Sequence, residues 1–198
     1  MHEQDSVGGG ALLLAAGFSR RFGSDKRRHA LADGHSLLEA SVALYGTAFP
    51  RLMVVLRPDD TDLVTKVHAV RPDARIVYCE DAAEGMGHSL AAGARAARAW
   101  RYVFVALADM PWVKPETLAR LRRALENAPD DAIVVPEYRG QPGHPVGFGG
   151  SHLAALAGLS GDAGARRVVR AAGDRVRRIS VDDPGVLEDL DAPPASPG

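Results

Sequence analysis

The stretch LLLAAGFSRRFGSDK, residues 12–26, runs from an unbroken apolar segment into two glycines, two arginines, an aspartate and a lysine. With Gly10 and Ala11, its front half reads as a strand over residues 10–16, too short for a helix and ended by Gly17. The basic back half is either an ordinary solvated loop or a loop delivered to a phosphate. Glycines at 17 and 23 let backbone amides turn inward, and consecutive amides form a concavity suited to an anion. Ser19, Arg20, Arg21 and Lys26 add a hydroxyl and cations. The spacing matches neither the dinucleotide fingerprint G-x-G-x-x-G nor the P-loop G-x-x-x-x-G-K-[ST].

Outward from this stretch, short apolar runs alternate with amphipathic ones. Ser36-Leu37-Leu38-Glu39 has the form of a capping box and opens a helix to about Ala48. Residues 51–56 form a second strand. From Asp60 a helix carries Leu63, Val64, Val67 and Val70 on one face until Pro72 stops it. Residues 75–78 are a short third strand, followed by a loop at 80–87 and a small-residue helix from about His88 to Trp100. Residues 102–107, YVFVAL, are the most continuous apolar strand and close on Ala108-Asp109-Met110-Pro111. Pro115 opens a helix with Leu118, Leu121 and Leu125 on one side. Strands at 132–135, 145–148 and 176–181 and two short helices complete the chain. Alternating strands and helices imply crossover units, hence a mostly parallel sheet with helices on both faces. In such sheets ligands bind beyond the carboxyl ends of the strands. That rule singles out the segments after residues 16 and 79, and Asp109.

The bulk properties bound the function. At 198 residues the chain suits one domain, with a core over about 11–192 and frayed tails at 1–9 and 193–198. It is 46% hydrophobic and 25% charged, the profile of a globular protein. A net charge of -1 argues against a surface that coats nucleic acid, so any basic site is local. The single cysteine, Cys79, excludes an internal disulfide and a cysteine-built metal cluster. No 18-residue apolar run is present and residues 1–9 lack a signal-peptide pattern, so the expected setting is the cytoplasm, away from membranes. Of the 24 basic residues three are lysines, so Lys26 beside Arg27 and Arg28 points to a site that wants a compact ammonium.

Several residues are candidates for chemistry. Asp109, at the exit of an apolar strand, is either a metal anchor or a turn aspartate; Mg²⁺ takes one or two carboxylates beside phosphate oxygens and water. Asp191, after the acidic segment 182–189, is either surface charge or a second ligand brought back beside Asp109. His144 in Gly143-His144-Pro145 fits a substrate contact or a structural turn, and Arg166 after Gly161-Asp162 fits a phosphate contact or a helix cap. No Gly-x-Ser-x-Gly elbow occurs.

Taken in order, these stretches resemble the MobA-like nucleotidyltransferases, and most closely their molybdenum cofactor cytidylyltransferase branch. The resemblance rests on Leu14-Ala15-Ala16-Gly17-x-Ser19-x-Arg21-x-Gly23-x-Asp25-Lys26, Glu84-Gly85-Met86-Gly87-x-Ser89-Leu90, and Ala108-Asp109-Met110-Pro111. Gly143-His144-Pro145, Gly161-Asp162-x-Gly164-Ala165-Arg166 and the segment from Asp182 to Asp191 complete it. It implies a Rossmann-like three-layer α/β sandwich with a mixed sheet, and transfer of a nucleotide monophosphate from NTP to a terminal phosphate, with Mg²⁺ required and pyrophosphate released. The Leu-Ala-Ala-Gly form resembles the CTP-using branch, whose acceptor is a molybdopterin-type cofactor. A partner molybdoenzyme of the xanthine dehydrogenase type is implied in turn.

In that resemblance Leu14, Ala15, Ala16, Gly17, Ser19, Arg20, Arg21, Gly23 and Lys26, with Glu84, Gly85, Gly87 and Ser89, bind the nucleotide. Amides of residues 17–23 hold the β- and γ-phosphates, Arg21 neutralises the leaving pyrophosphate, Lys26 sits on the α-phosphate, and Asp109 and Asp191 hold Mg²⁺. His144, Asp162 and Arg166 face the acceptor. A phosphate nucleophile is already ionised at neutral pH, so positioning and electrostatics carry the reaction. The chain departs from the pattern at Arg27-Arg28-His29, where apolar residues are usual, and at Glu80, His88, Ala108 and Ala192. The arginines either extend the phosphate site or mark a segment that packs differently.

Overall fold

A computed structural model describes residues 8–18, 22–162 and 164–190. The first strand is β1 (Gly10–Leu14), then come α1 (Leu37–Ala48), β2 (Leu52–Leu56), α2 (Thr61–Val70), β3 (Arg75–Tyr78), α3 (Met86–Ala96) and β4 (Tyr102–Leu107). The second half comprises α4 (Pro115–Glu126), β5 (Ile133–Tyr138), β6 (Gln141–Pro142), β7 (Val146–Gly149), α5 (Leu153–Ala157), α6 (Arg166–Ala172) and β8 (Val176–Ser180). The eight strands form one mixed sheet in the order β3-β2-β1-β4-β7-β5-β6, with β8 also paired to β5.

β1, β2, β3 and β4 pair in parallel, with Leu14 opposite Val55 on one side and Leu107 on the other. The carboxyl ends of β1, β2 and β4 therefore open at one edge. β7 is antiparallel to both β4 and β5, so β5 runs with β4 although they do not touch. Alternation along β1 divides the core. Ala11, Leu13 and Ala15 face a cluster completed by Val42, Leu63 and Leu118 from α1, α2 and α4, whereas Leu12, Leu14 and Ala16 face Leu90, Ala94 and Leu156 from α3 and α5. Both faces are thus covered, which is why β1 carries no polar residue.

Local signals set the helix boundaries. Ser36 and Glu39 form the reciprocal capping box at the start of α1, and Pro115 occupies the first turn of α4. β1 ends at Leu14 rather than Ala16: the Ala15 amide still donates to the Val55 carbonyl at 3.0 Å, but the Ala15 carbonyl accepts from Arg27 instead of continuing the ladder. α3 begins at Met86, two residues earlier than the composition of 88–100 suggests. The Gly87 amide donates to the Gly161 carbonyl at 2.7 Å, pressing the helix start onto a loop 74 residues further along the chain. A Cβ on Gly87 would lie 2.6 Å from the Gly161 oxygen, so only glycine permits that approach. Among the described residues no helix is long and apolar enough to cross a membrane.

Candidate active site

The carboxyl edge of the sheet bears a cleft of about 400 Å³. Leu14, Ala15, Ala16 and Gly17 at the end of β1 form one wall, and Glu84, Gly85 and Ser89 at the start of α3 form another. Lys26 and Asp109 close the floor. They are 83 residues apart in sequence, yet their ammonium and carboxylate are paired, with 21% and 19% of the side chains exposed. The pairing arises from topology. Lys26 enters on the short helical turn that returns after β1, Asp109 leaves β4, and those strands are neighbours. The Ser41 hydroxyl donates to the Ala108 carbonyl at 2.9 Å and pins that exit to α1.

Not every sequence candidate reaches the cleft. Asp162 does, because the Gly85–Gly87 contact draws its loop in. Gly87 is the spacer for that contact, and Gly23, exposed on the return of the loop, does not line the cleft either. The Ser89 hydroxyl points to the Cys79 sulfur at 3.8 Å. Ser19, Arg20, Arg21 and Asp191 lie outside the described residues. Leu190, just before Asp191, donates its amide to the Asp109 carbonyl at 3.1 Å, so the chain reaches the strand exit where the second ligand is expected.

His144 and Arg166 stand apart from the cleft lining. The imidazole is held below its ordinary pKa, first by burial and also by nearby Arg166, against the opposing pull of Asp109. Its Nδ1 is buried without a hydrogen-bond partner. The imidazole thus feels the charges of both Asp109 and Arg166 while lying outside the cleft lining. Behind Asp109, burial first, and then the carboxylates of Asp109 and Asp183, push the Tyr45 phenol above its ordinary value.

Sequence reasoning missed the apolar and aromatic part of the lining: Phe18, Phe22, Leu37, Ala82 and Met86. Phe18 and Met86 are exposed large hydrophobic groups, a property that declares itself only once the fold is formed. Arg27 also lines the cleft, yet it is 3% exposed and engaged with Asp25, Asp60 and the Ala15 carbonyl. The two arginines that depart from the motif thus belong to the support beneath the loop: Arg28 pairs with Asp25 and Asp62.

The fit of a divalent cation rests on the donor set. Among the described residues no three histidine, cysteine or acidic side chains form a metal-holding group. Asp109 is the carboxylate paired with Lys26 in the cleft, and one such carboxylate suits a hard cation that takes its remaining oxygens from phosphates and water. The cleft lining combines one ammonium, Lys26, and the carboxylates of Asp109, Glu84 and Asp162 with small and apolar side chains such as Ala15, Ala16, Phe18 and Met86.

The chain is similar to several known proteins. The chain is 35% identical over 176 residues to the probable molybdenum cofactor guanylyltransferase of Chloroflexus aggregans, covering 86% of this chain and 74% of the relative. It is 29% identical to the purine catabolism protein PucB of Bacillus subtilis, covering 92% and 91%. It is 30% identical to the nicotine blue oxidoreductase of Paenarthrobacter nicotinovorans, covering 91% and 90%. The chain also matches bifunctional GlmU proteins, such as that of Azorhizobium caulinodans, of which it spans 30%. The crystal structure of Rv0371c from Mycobacterium tuberculosis superposes with a TM-score of 0.77 at 29% identity, covering 94% and 93% of the two chains. Residues 11–176 match the MobA-like NTP transferase domain, a span that holds the β1 loop, Asp109 and the start of α3. Because that span takes in most of the chain and every wall of the cleft, the chain belongs to the MobA-like NTP transferase family and is a nucleotidyltransferase.

Proposed function

We propose that the chain transfers CMP from CTP to the terminal phosphate of a molybdopterin-type acceptor in a Mg²⁺-dependent reaction. The observation that carries it is the pairing of Lys26 with Asp109 at the floor of a cleft walled by the β1 loop and the start of α3. An acceptor phosphate oxygen forms a bond to the α-phosphorus while the bond to the bridging oxygen of the pyrophosphate breaks, and pyrophosphate departs with that electron pair. No proton needs to move, so the protein's work is positioning and charge neutralisation. Amides after β1 bind the phosphates, and the Lys26 ammonium compensates the charge gathered at the α-phosphate. Asp109, joined by Asp191, would hold the cation, which when bound screens the triphosphate. Glu84, Gly85 and Ser89 face the nucleoside, and Asp162, with His144 and Arg166 on the flank, faces the acceptor. The Leu-Ala-Ala-Gly form favours CTP. The relatives carry different names, a guanylyltransferase, a purine catabolism protein and an oxidoreductase among them, so base and acceptor are what the experiment must decide.

Pyrophosphate release decides the matter. Purified protein and Mg²⁺ are incubated with CTP, GTP, ATP or UTP, with and without molybdenum cofactor. Release that requires both CTP and the cofactor is the expected result. Release with a sugar phosphate in place of the cofactor refutes the acceptor, and cofactor binding without release with any NTP points to a non-catalytic carrier in molybdoenzyme maturation. Asp109→Asn or Lys26→Ala should slow turnover by a few powers of ten, about 3 to 6 kcal/mol of barrier. Near-normal release by Asp109→Asn would rule out its place in the reaction.

A further inference from the structure

The loop that carries Lys26 stands on a buried network of charge, and its geometry is more specific than stability requires. All five guanidinium N–H groups of Arg27 are engaged: Nε with Asp25 at 2.8 Å, Nη2 with Asp25 at 2.6 Å and Asp60 at 2.8 Å, and Nη1 with Asp60 and, at 2.7 Å, with the Ala15 carbonyl. Asp60 precedes α2 but does not cap it; its carboxylate is taken up by Arg27 and by Arg57, whose amide and Nη2 donate at 3.0 and 2.9 Å. The Arg57 guanidinium lies 4.6 Å from the centre of the Phe18 ring. Ala15 and Phe18 form the outgoing shoulder of the loop, and Asp25 to Arg28 form the returning one. Both shoulders are tied to the start of α2 through Asp60.

A buried ion pair is frequently no more stabilising than apolar packing of the same volume, so the arrangement is not explained by stability alone. What a guanidinium fork supplies is direction, because its donors are planar and fixed. We propose that Arg27 is a positioning residue: acting with Asp60, Arg57 and Phe18, it locks residues 15–18 and 25–28 to α2 and so sets the Lys26 ammonium against Asp109 before a nucleotide arrives. The proposal rests on the nucleotide-binding reading of the cleft. It adds that the two shoulders and Lys26 are preorganised, so that less ordering is required on binding.

Two variants test it. Arg27→Lys keeps the charge but offers three donors from a point, and Phe18→Leu removes the stacking on an exposed residue without touching the ion pairs. Each is measured for melting temperature, for KM and kcat with CTP, and for the rate of limited tryptic cleavage after Arg20 and Arg21. The expected result is a KM raised by about tenfold to a hundredfold in Arg27→Lys and less in Phe18→Leu, with faster loop cleavage in both, as misplacement of a positioning group predicts. A purely structural role would lower the melting temperature of Arg27→Lys and leave KM and loop cleavage of the folded protein unchanged. KM within twofold of the parent and unchanged cleavage in Phe18→Leu overturn the proposal even where Arg27→Lys fails to fold. Should the parent bind no nucleotide, the nucleotide reading fails by itself; cleavage rates then still decide whether the loop is locked.

Discussion

Asp60 gives the sharpest quantitative handle on the charge network. Its carboxylate is 1% exposed, and burial alone would raise its pKa. The hydrogen bonds from Arg27 and Arg57 outweigh burial and hold it at about 2, against 3.8 for an ordinary aspartate. A folded-state pKa below the unfolded value stabilises the fold above the unfolded pKa, and that contribution is lost as pH falls through the folded one. A difference of this size corresponds to roughly 2 kcal/mol at pH 7, of which about 1 kcal/mol is gone at pH 3. Asn at position 60 does not titrate. Asp60→Asn should therefore be less stable than the parent at pH 7, and the gap should narrow by about 1 kcal/mol at pH 3. Urea unfolding followed by circular dichroism at the two pH values measures both gaps. A gap that stays constant, or widens in acid, would refute the claim that Arg27 and Arg57 hold this carboxylate charged.

Two further outcomes come from backbone contact and burial. Gly87→Ala places a Cβ 2.6 Å from the Gly161 oxygen and 2.7 Å from the Ser160 oxygen, both backbone atoms. A loss of about 1 to 3 kcal/mol is expected, seen by calorimetry as a fall of several degrees in melting temperature, and an unchanged melting temperature would contradict the close approach. Tyr45→Phe removes a buried hydroxyl that has no hydrogen-bond partner and should be neutral or raise stability by up to about 1 kcal/mol. A clear loss of stability on denaturant unfolding would show that the hydroxyl is satisfied.

Much of the fold and part of the site were legible in the residues. The apolar run at 10–16, the capping box at Ser36 and Glu39, and Pro115 each announce an element because the cause is local: burial on both faces, two reciprocal bonds, a fixed φ. Asp109 was legible as a site candidate because strand ends in a parallel sheet point to one edge. The antiparallel β7 between β4 and β5 was not, since its length and composition say nothing of direction. Phe18, Met86 and the spacer role of Gly87 were likewise hidden, because each depends on a surface supplied by a distant segment.

Arg27 marks the boundary between the two kinds of information. In sequence it is a charged residue in a basic run, and arginines are mostly exposed. The fold places Asp60, 33 residues later, and the Ala15 carbonyl within its reach, and turns a surface cation into a buried strut. Periodicity determined that the apolar front of LLLAAGFSRRFGSDK is a strand that ends near Gly17 ahead of a basic segment, because that cause acts over a few residues. Which charge faces the cleft and which is consumed in holding the loop was decided by tertiary structure alone, because that depends on the partners that burial brings within hydrogen-bond distance.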